Sequence, residues 1–178
     1  MTTKTIFSSN WTSIHIDNWK RLVPNPESIN GFLEIGNWEG RSTCWWAGYL
    51  KNAHIISIDP SFGLENRQAL LHNISVHPRA NKIDLRFGLS ENELKRIRYE
   101  SMDVIYIDGS HKAKDVLLDG LLCYKILKPG GIMIFDDYQI KELKNFPNDK
   151  LPKIGIDAFL KTTEAEVIHS EYQLAVRK

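Results

Sequence analysis

Acidic and glycine residues stand at the ends of several short apolar segments, and these positions are the first sign of a functional site. The apolar segments are predicted strands. The residues at their ends are Glu34 with Gly36, Asp59, Gly88 with Ser90, Asp108, and Asp136 with Asp137. A single acidic residue there often caps the next helix, so each alone has a structural explanation. Because the carboxyl ends of parallel strands share one edge of a sheet, the whole set favours a ligand site.

The first of these turns joins a predicted buried strand to a helix. It reads Glu34-Ile-Gly36-Asn-Trp38-Glu-Gly40-Arg-Ser42. Gly36 permits a tight turn and close approach of a ligand. Gly40 precedes a helix whose free N–H groups can bind a carboxylate. The pattern is not GxGxxG, which binds a dinucleotide pyrophosphate. Asp59, at the end of the next strand, can accept hydrogen bonds from both hydroxyls of a ribose. We therefore expect a nucleoside with a small zwitterionic tail.

The elements that position these residues alternate between short strands and helices. This alternation predicts an α/β fold with a parallel sheet and helices on both faces. Predicted strands cover residues 31–35, 54–58, 83–87, 103–107 and 132–135, and predicted helices cover 41–50, 64–71, 91–97, 112–127 and a segment ending at 161. Ser110 is expected to cap the longest helix, and Pro129-Gly130-Gly131 to end it. Residues 166–169 and 172–177 predict an antiparallel hairpin.

Two segments fit no predicted core element. We interpret residues 1–30 as an N-terminal cap and residues 138–153 as a candidate lid loop. The chain of 178 residues is otherwise expected to form a single domain, 1–178. Trp11 and Trp19 in the cap are expected to pack against the protein, with a pocket wall or an oligomer contact as alternatives. The histidines apart from His111 show no ligand spacing, which disfavours a zinc site.

The composition excludes several kinds of partner. The chain has 23 basic and 22 acidic side chains and a net charge of +1, so neither nucleic acid nor an anionic membrane is an expected partner. No apolar run approaches the roughly 18–20 residues of a transmembrane helix. The N-terminus lacks a signal-peptide pattern. Cys44 and Cys123 form no CxxC pair and are expected to be buried, reduced thiols of a cytoplasmic protein.

With these residues in place, the chain resembles the class I S-adenosylmethionine-dependent methyltransferases over about residues 31–138. The most specific segments are FLEIGNWEGRST, IISIDP, FGLSEN, DVIYIDGSHKAKDV and LKPGGIMIFDDY. Within that class they are similar to the metal-dependent O-methyltransferases of the catechol and macrocin types. The resemblance implies a Rossmann-like, doubly wound, mostly parallel sheet with a C-terminal antiparallel hairpin. It also implies S-adenosyl-L-methionine as the cofactor.

The resemblance assigns cofactor-binding roles to individual residues. The full set is Glu34, Gly36, Trp38, Gly40, Ser42, Asp59, Ser90, Glu91 and Asp108. Ser42 falls where the catechol type holds the methionine carboxylate, and Asp59 falls on the ribose-binding acid. Ser90 and Glu91 fall where the adenine ring is contacted. Trp38 replaces the middle glycine of the broader GxGxG pattern, a departure that is typical of the catechol type.

The resemblance also implies a metal site made by Asp108, Asp136 and Asp137. Three oxygen ligands with open positions suit Mg²⁺, with another divalent cation as the alternative. The catechol type has a lysine base where this chain has His111, and the macrocin type has an aspartate where it has Ser110. We interpret His111 as the general base, because an imidazole titrates at about pH 6.5. The alternative is that His111 is only a residue of the first helical turn.

These roles predict metal-assisted transfer of a methyl group to a small hydroxylated acceptor such as a catechol, a sugar or a polyketide-like compound. Asp108 and His111 are then the expected catalytic residues. Two alternatives remain: a metal-independent methyltransferase, and a non-catalytic module that binds S-adenosylmethionine. An NAD-dependent oxidoreductase is disfavoured because GxGxxG is missing. A homodimer is expected from the general frequency of symmetric oligomers.

Overall fold

The computed structural model describes residues 4–61, 63–141 and 151–178 of the chain. Its strands are β1 Gly31–Ile35, β2 His54–Asp59, β3 Ile83–Phe87, β4 Met102–Ile107, β5 Leu127–Phe135, β6 Glu166–Ser170 and β7 Leu174–Arg177. They form one seven-stranded sheet in the order β3-β2-β1-β4-β5-β7-β6. The first five strands run parallel, and β7 pairs antiparallel with both β5 and β6. The predicted Rossmann-like sheet with a C-terminal hairpin is therefore confirmed.

The register of the parallel strands brings their last residues level with one another. Ile35 of β1 pairs with Ile58 of β2 and with Ile107 of β4, and Ile107 pairs in turn with Phe135 of β5. The residues that follow these four are the glycine and the acids singled out in the sequence. From β1 the chain first adds β2 and β3 on one side of the sheet and then β4 and β5 on the other. Ligands bind in such sheets at the carboxyl ends of the strands where this order reverses, here between β1 and β4.

Helices cover both faces of the sheet, as predicted. They are α1 Ile16–Leu22, α2 Arg41–Tyr49, α3 Leu64–Ser75, α4 Ser90–Glu93, α5 Ala113–Ile126 and α6 Pro152–Thr162. Successive side chains of a strand point to opposite faces. Phe32 of β1 accordingly lies in one buried cluster with Trp46 of α2, and Leu33 lies in the other with Cys123 of α5. Cys44 is a partly buried free cysteine, and Cys123 is a fully buried one.

The junction between α5 and β5 differs from the prediction. The helix ends at Ile126 and the strand begins at the next residue, so Pro129-Gly130-Gly131 lies inside β5 rather than between the two elements. Pairing between β4 and β5 is irregular there, since the register shifts between Met102 and Val104. A proline lacks an N–H to donate, and an irregular stretch of this kind is where a strand tolerates one.

The start of α5 also differs from the prediction. Its N-cap residue is Lys112, not Ser110, and no side chain caps it directly. Ser110 instead accepts a hydrogen bond from the Lys112 N–H at 3.3 Å and donates one to Asp115 at 2.8 Å. The serine thus fixes the turn before the helix.

The N-terminal cap contributes to the core, against the expectation that residues 1–30 fit no core element. Trp19 of α1 is fully buried, and its ring centroid lies 4.9 Å from that of Trp46 and 5.1 Å from that of Tyr106. Packing of Trp19 is therefore confirmed. A helix of seven residues such as α1 is too short for the spacing of its apolar residues to predict it from the sequence.

The residues before α1 are attached to α3 through one buried side chain. Asn73 accepts a hydrogen bond from the Ile6 N–H at 2.6 Å and donates to the Ile6 carbonyl at 2.7 Å. It also donates to the Glu39 carbonyl at 2.9 Å, in the turn after β1. Asn73 thus holds the N-terminal segment close to the turn that follows β1. Most of the candidate lid loop, residues 142–150, lies outside the described residues.

A membrane crossing needs a long apolar helix, and the described ranges contain none that is both long and apolar enough.

Close contact between α5 and α6 gives a test of the packing. An ideal Cβ on Gly155 of α6 would lie 2.1 Å from the Ala113 carbonyl oxygen. We expect Gly155→Ala to lower the free energy of unfolding by about 1–3 kcal/mol, because the two helices must separate. Urea denaturation followed by circular dichroism measures the change.

Gly48→Ala is the matched control for this test. Gly48 also lies in a helix, α2, but a Cβ there would meet only the His77 Nε2 at 3.9 Å. This variant should gain up to about 1 kcal/mol from the higher helix propensity of alanine. Equal losses in the two variants would contradict the packing argument.

Candidate functional site

Two cavities lie side by side at the carboxyl edge of the sheet. The larger cavity has a volume of about 680 Å³ and the smaller one about 560 Å³. The residues that line both are Gly36, Trp38, Asp59 and Gly109. A ligand bound in the larger cavity can therefore reach the smaller one across the turns that follow β1 and β4.

The turn after β1 is tightly constrained. Gly36 has φ 85°, and a Cβ there would lie 1.9 Å from the Asp108 carbonyl oxygen. The turns after β1 and β4 thus pack backbone against backbone, which requires glycine. Trp38 adopts φ 47°, a left-handed conformation that is rare for a bulky residue. Strain of this kind tends to occur at functional sites.

Glu34 supports this turn from below. Its carboxylate accepts hydrogen bonds from the hydroxyls of Ser42 at 2.6 Å, Ser57 at 2.8 Å and Thr43. Burial raises its pKa to about 7, although the hydroxyl donors act in the opposite direction. Glu34 lines neither cavity, whereas Ser42 lines the smaller one. The structure therefore places Glu34 as the partner that orients Ser42, and its direct contact with a cofactor stays a prediction.

The larger cavity brings together the residues predicted to contact the ribose and the adenine. Asp59 lines it, and its Oδ2 accepts a hydrogen bond from the Asn37 N–H at 3.0 Å. Ser90 and Glu91 line it as well. Asp119, which the sequence analysis missed, accepts a hydrogen bond from the Ser90 hydroxyl at 2.6 Å, and burial raises its pKa to about 6.

The smaller cavity contains the three predicted metal-binding carboxylates. Burial, and then repulsion from Asp136 and Asp137, raises the pKa of Asp108 well above its ordinary value. Burial followed by repulsion from Asp137 likewise raises the pKa of Asp136. Burial would also raise the pKa of Asp137, but hydrogen bonds from His111 at 2.8 Å and Tyr172 at 2.6 Å lower it. A divalent cation would relieve this crowding of negative charge, so the residues present fit such an ion.

The group of potential metal ligands that the structure brings together differs by one residue from the predicted metal site of Asp108, Asp136 and Asp137. Asp108, His111 and Asp137 each offer one ligand atom, and these atoms all lie within 4.8 Å of one another. Asp136 is outside this group, and its oxygens accept hydrogen bonds from Tyr106 and Gln173, both at 2.9 Å. Two carboxylates with one imidazole suit Mn²⁺ and other transition metals as well as Mg²⁺.

A chain of hydrogen bonds reaches Asp136 from the core. The Trp19 Nε1–H donates to the Gln173 Oε1 at 2.9 Å, which leaves the amide nitrogen of Gln173 to donate to Asp136. His15 Nε2 lies 3.9 Å from the same Asp136 oxygen, and the His15 ring stacks on Tyr172 at a centroid distance of 5.6 Å. The sequence predicts no functional role for His15, since the histidines other than His111 show no ligand spacing. It is buried and lines the smaller cavity.

Tyr106 is a residue of the site that the sequence pattern could have predicted. Tyr106 lies in β4, and Asp108 follows the strand two positions later. Side chains alternate along an extended chain, so this spacing predicts that both point to the same face of the sheet. The Tyr106 hydroxyl lies 3.2 Å from the Asp108 carboxylate. Tyr172, Gln173 and His15 come from distant parts of the chain and have no comparable local signal.

Two exposed tryptophans form an aromatic wall of the smaller cavity. Trp11 and Trp38 are 66% and 50% exposed, and their ring centroids lie 6.3 Å apart. Trp11 is thus mostly exposed rather than packed against the protein as expected, and it lines the smaller cavity, which is the pocket-wall alternative.

Comparisons with known proteins agree with this architecture. A family model described as a methyltransferase domain matches residues 33–138. The chain is similar to the uncharacterized protein R132 of Acanthamoeba polyphaga mimivirus, with 28% identity over 123 residues. This alignment covers 61% of the chain and 51% of the relative, so the chain spans about half the length of that curated relative.

Solved structures with the same fold include two methyltransferases. An O-methyltransferase from Bacillus cereus in complex with SAH is 22% identical, with a TM-score of 0.73, over 97% of this chain and 84% of that one. The MycE methyltransferase of the mycinamycin biosynthetic pathway, in complex with Mg, SAH and mycinamycin VI, is 17% identical with a TM-score of 0.67. That match covers 97% of this chain and 50% of MycE.

Burial of Glu34 predicts a pH-dependent stability. Its pKa is about 7 in the folded protein against an ordinary value of 4.5, so the folded state binds the proton more tightly. This contribution to stability is full below pH 4.5 and is lost as the pH rises through 7. Relative to wild type, Glu34→Gln should therefore gain about 3 kcal/mol of unfolding free energy between pH 4.5 and pH 8.

Urea denaturation at a series of pH values measures this difference. Glu65→Gln, on the exposed side of α3, serves as the control for loss of a carboxylate elsewhere. A difference between Glu34→Gln and wild type that stays constant with pH would show that Glu34 ionises normally.

Proposed function

We propose that this chain, which belongs to the methyltransferase-domain family, transfers a methyl group from S-adenosyl-L-methionine to a hydroxyl group of a small acceptor. The observation that carries the proposal is the junction of the two cavities at Gly36, Trp38 and Asp59. A nucleoside-type cavity there opens directly onto an acidic cavity with an aromatic wall. S-adenosyl-L-methionine supplies the methyl group as an electrophile, so the protein needs no covalent intermediate of its own.

Residues at the carboxyl edge would divide the binding of the cofactor. Asp59 lines both cavities, its carboxylate is held by the Asn37 and Ser61 N–H groups, and it would accept hydrogen bonds from the ribose hydroxyls. Ser90 and Glu91 line the larger cavity, where the adenine would lie. The free backbone N–H groups at the start of α2, that of Ser42 among them, would bind the methionine carboxylate, while the Ser42 hydroxyl donates its hydrogen bond to Glu34.

His111 is our candidate for the group that takes the proton from the acceptor hydroxyl. Its Nε2 lies 2.8 Å from Asp137, and this hydrogen bond raises the pKa of His111 although burial opposes the shift. The carboxylate would therefore stabilise the protonated ring after the transfer. The His111 side chain is 45% exposed, which leaves a path by which the proton reaches solvent.

Asp108 and Asp137 are the carboxylates on which the predicted metal site and the observed group of ligand atoms agree. We propose that they hold Mg²⁺ or another divalent cation, with Asp136 or His111 as a third ligand. Such a cation, when bound, lowers the pKa of a hydroxyl that contacts it. Tyr106 and Gln173 hold Asp136 in place by hydrogen bonds in either arrangement. In a metal-independent enzyme, the same carboxylates would bind the acceptor by hydrogen bonds.

Calorimetric titration with S-adenosyl-L-methionine tests the cofactor. We expect micromolar-range binding by the wild type, and a loss of roughly 10- to 100-fold in Asp59→Ala, because hydrogen bonds to a charged group are removed. Asp84→Ala, in β3 and paired with Arg86, is the control for loss of an aspartate elsewhere. Absence of binding by folded wild-type protein would refute the proposed function.

His111→Gln separates the role of a base from that of a ligand. If His111 is the base, the variant should lose about 100- to 10,000-fold in methyl-transfer rate, measured on a panel of catechols and sugars. Its affinity for Mn²⁺, measured by electron paramagnetic resonance, should fall by no more than about 10- to 100-fold, which is the cost of losing a hydrogen-bond partner of a ligand such as Asp137. A larger loss of Mn²⁺ affinity would instead identify His111 as a metal ligand. A chelator titration of the wild type shows whether turnover needs a metal.

A further inference from the structure

One cation in the smaller cavity has no assigned role. Arg41 is the first residue of α2 and lines this cavity together with the three aspartates. Among the described lining residues it is the one lysine or arginine. No carboxylate in the described part of the chain lies within 4.0 Å of its guanidinium group. Its Nε is buried and has no hydrogen-bond partner among the same residues.

The guanidinium group of Arg41 is held by an aromatic ring instead of by an anion. Its Cζ lies 4.3 Å from the centroid of Phe7. The neighbours of Phe7 are anchored on both sides, since Ile6 is bound by Asn73 and the Ser8 N–H donates to the Glu39 carboxylate at 2.7 Å. A guanidinium stacked by one face keeps its edge N–H groups available for an oxyanion.

The two acids of this cavity that follow β5 already have hydrogen-bond partners. Asp136 is bound by Tyr106 and Gln173, and Asp137 by His111 and Tyr172. A buried arginine donor without a partner costs free energy unless a ligand supplies the acceptor. The cavity therefore offers a cation positioned in advance for an anionic group that no residue in the described ranges provides.

We propose that Arg41 binds a carboxylate of the methyl acceptor, which makes the acceptor an acidic, hydroxylated compound; this inference rests on the proposed function. The Trp11–Trp38 wall of the same cavity suits a planar ring between the two polar ends. Arg41 stands on the acceptor side, since it contacts the N-terminal segment that also carries Trp11. The cofactor carboxylate has its own candidate partners in the free backbone N–H groups at the start of α2, that of Ser42 among them.

The test compares three ligands that share their vicinal hydroxyls. Catechol lacks a carboxylate, whereas 3,4-dihydroxybenzoate carries one, and 3,4-dihydroxycinnamate carries it farther from the ring. Calorimetric titration of the protein with Mg²⁺ and S-adenosylhomocysteine gives the affinity for each. We expect wild type to bind at least one of the acids roughly tenfold or more tightly than catechol, because charged hydrogen bonds are added.

Arg41→Gln should reduce that preference to about one, while the affinity for S-adenosyl-L-methionine stays within about twofold. Arg41→Lys should recover part of the preference, since lysine keeps the charge without the bidentate fork. Arg67→Gln is the matched control, because Arg67 packs over Phe87 at 4.1 Å and lines neither cavity.

Two results would overturn the proposal. No preference for either acid in the wild type would show that Arg41 does not recognise an acceptor carboxylate. A loss of S-adenosyl-L-methionine affinity in Arg41→Gln, with the acid preference unchanged, would assign Arg41 to the cofactor. Failure of the proposed function is a different result, namely that folded wild type binds no S-adenosyl-L-methionine at all.

Discussion

Crowding of negative charge at the ends of β4 and β5 is the constraint on which the rest of this structure depends. Asp108, Asp136 and Asp137 meet in one cavity, and burial raises the free-energy cost of ionising them. In the described part of the chain the donors that offset this cost are neutral or imidazole groups, with no lysine or arginine among them. Neutral donors orient the carboxylates without cancelling their charge, so the cavity keeps its attraction for a cation. Tyr106 and Tyr172 supply two of these donors.

The core and the acidic cavity form one unit because of this arrangement. Trp19 is buried against aromatic rings, yet its indole N–H decides which end of the Gln173 amide faces Asp136. The antiparallel hairpin contributes Gln173, and α1 contributes Trp19. Two elements at the periphery of the fold, α1 and the hairpin, therefore set the orientation of the Asp136 carboxylate in the smaller cavity. A displacement of Trp19 would therefore change the position of Asp136, because the two are connected through the hydrogen bonds of Gln173.

Sequence reasoning succeeded where the relevant interactions are short in range. The ends of the parallel strands and the glycine turn could be read locally, because each strand positions the residue that directly follows it. Pro129 misled the prediction, since only pairing with β4 shows that β5 tolerates it. Gln173 could not have been found, because its partners Trp19 and Asp136 lie 154 and 37 positions away. Tyr106 could have been found from strand alternation alone.

The two halves of the site differ in the same way. The larger cavity is built mainly from turns that follow consecutive strands, so most of its residue types are visible in the sequence, and Asp119 of α5 is the exception. The smaller cavity is completed by the N-terminal segment, whose position depends on Asn73 of α3. That segment brings Phe7 to Arg41 and Trp11 to Trp38. Under the proposed function, recognition of the acceptor would be a property of tertiary contacts, and a fold shared with other methyltransferases would leave it free to vary while the cofactor half stays the same.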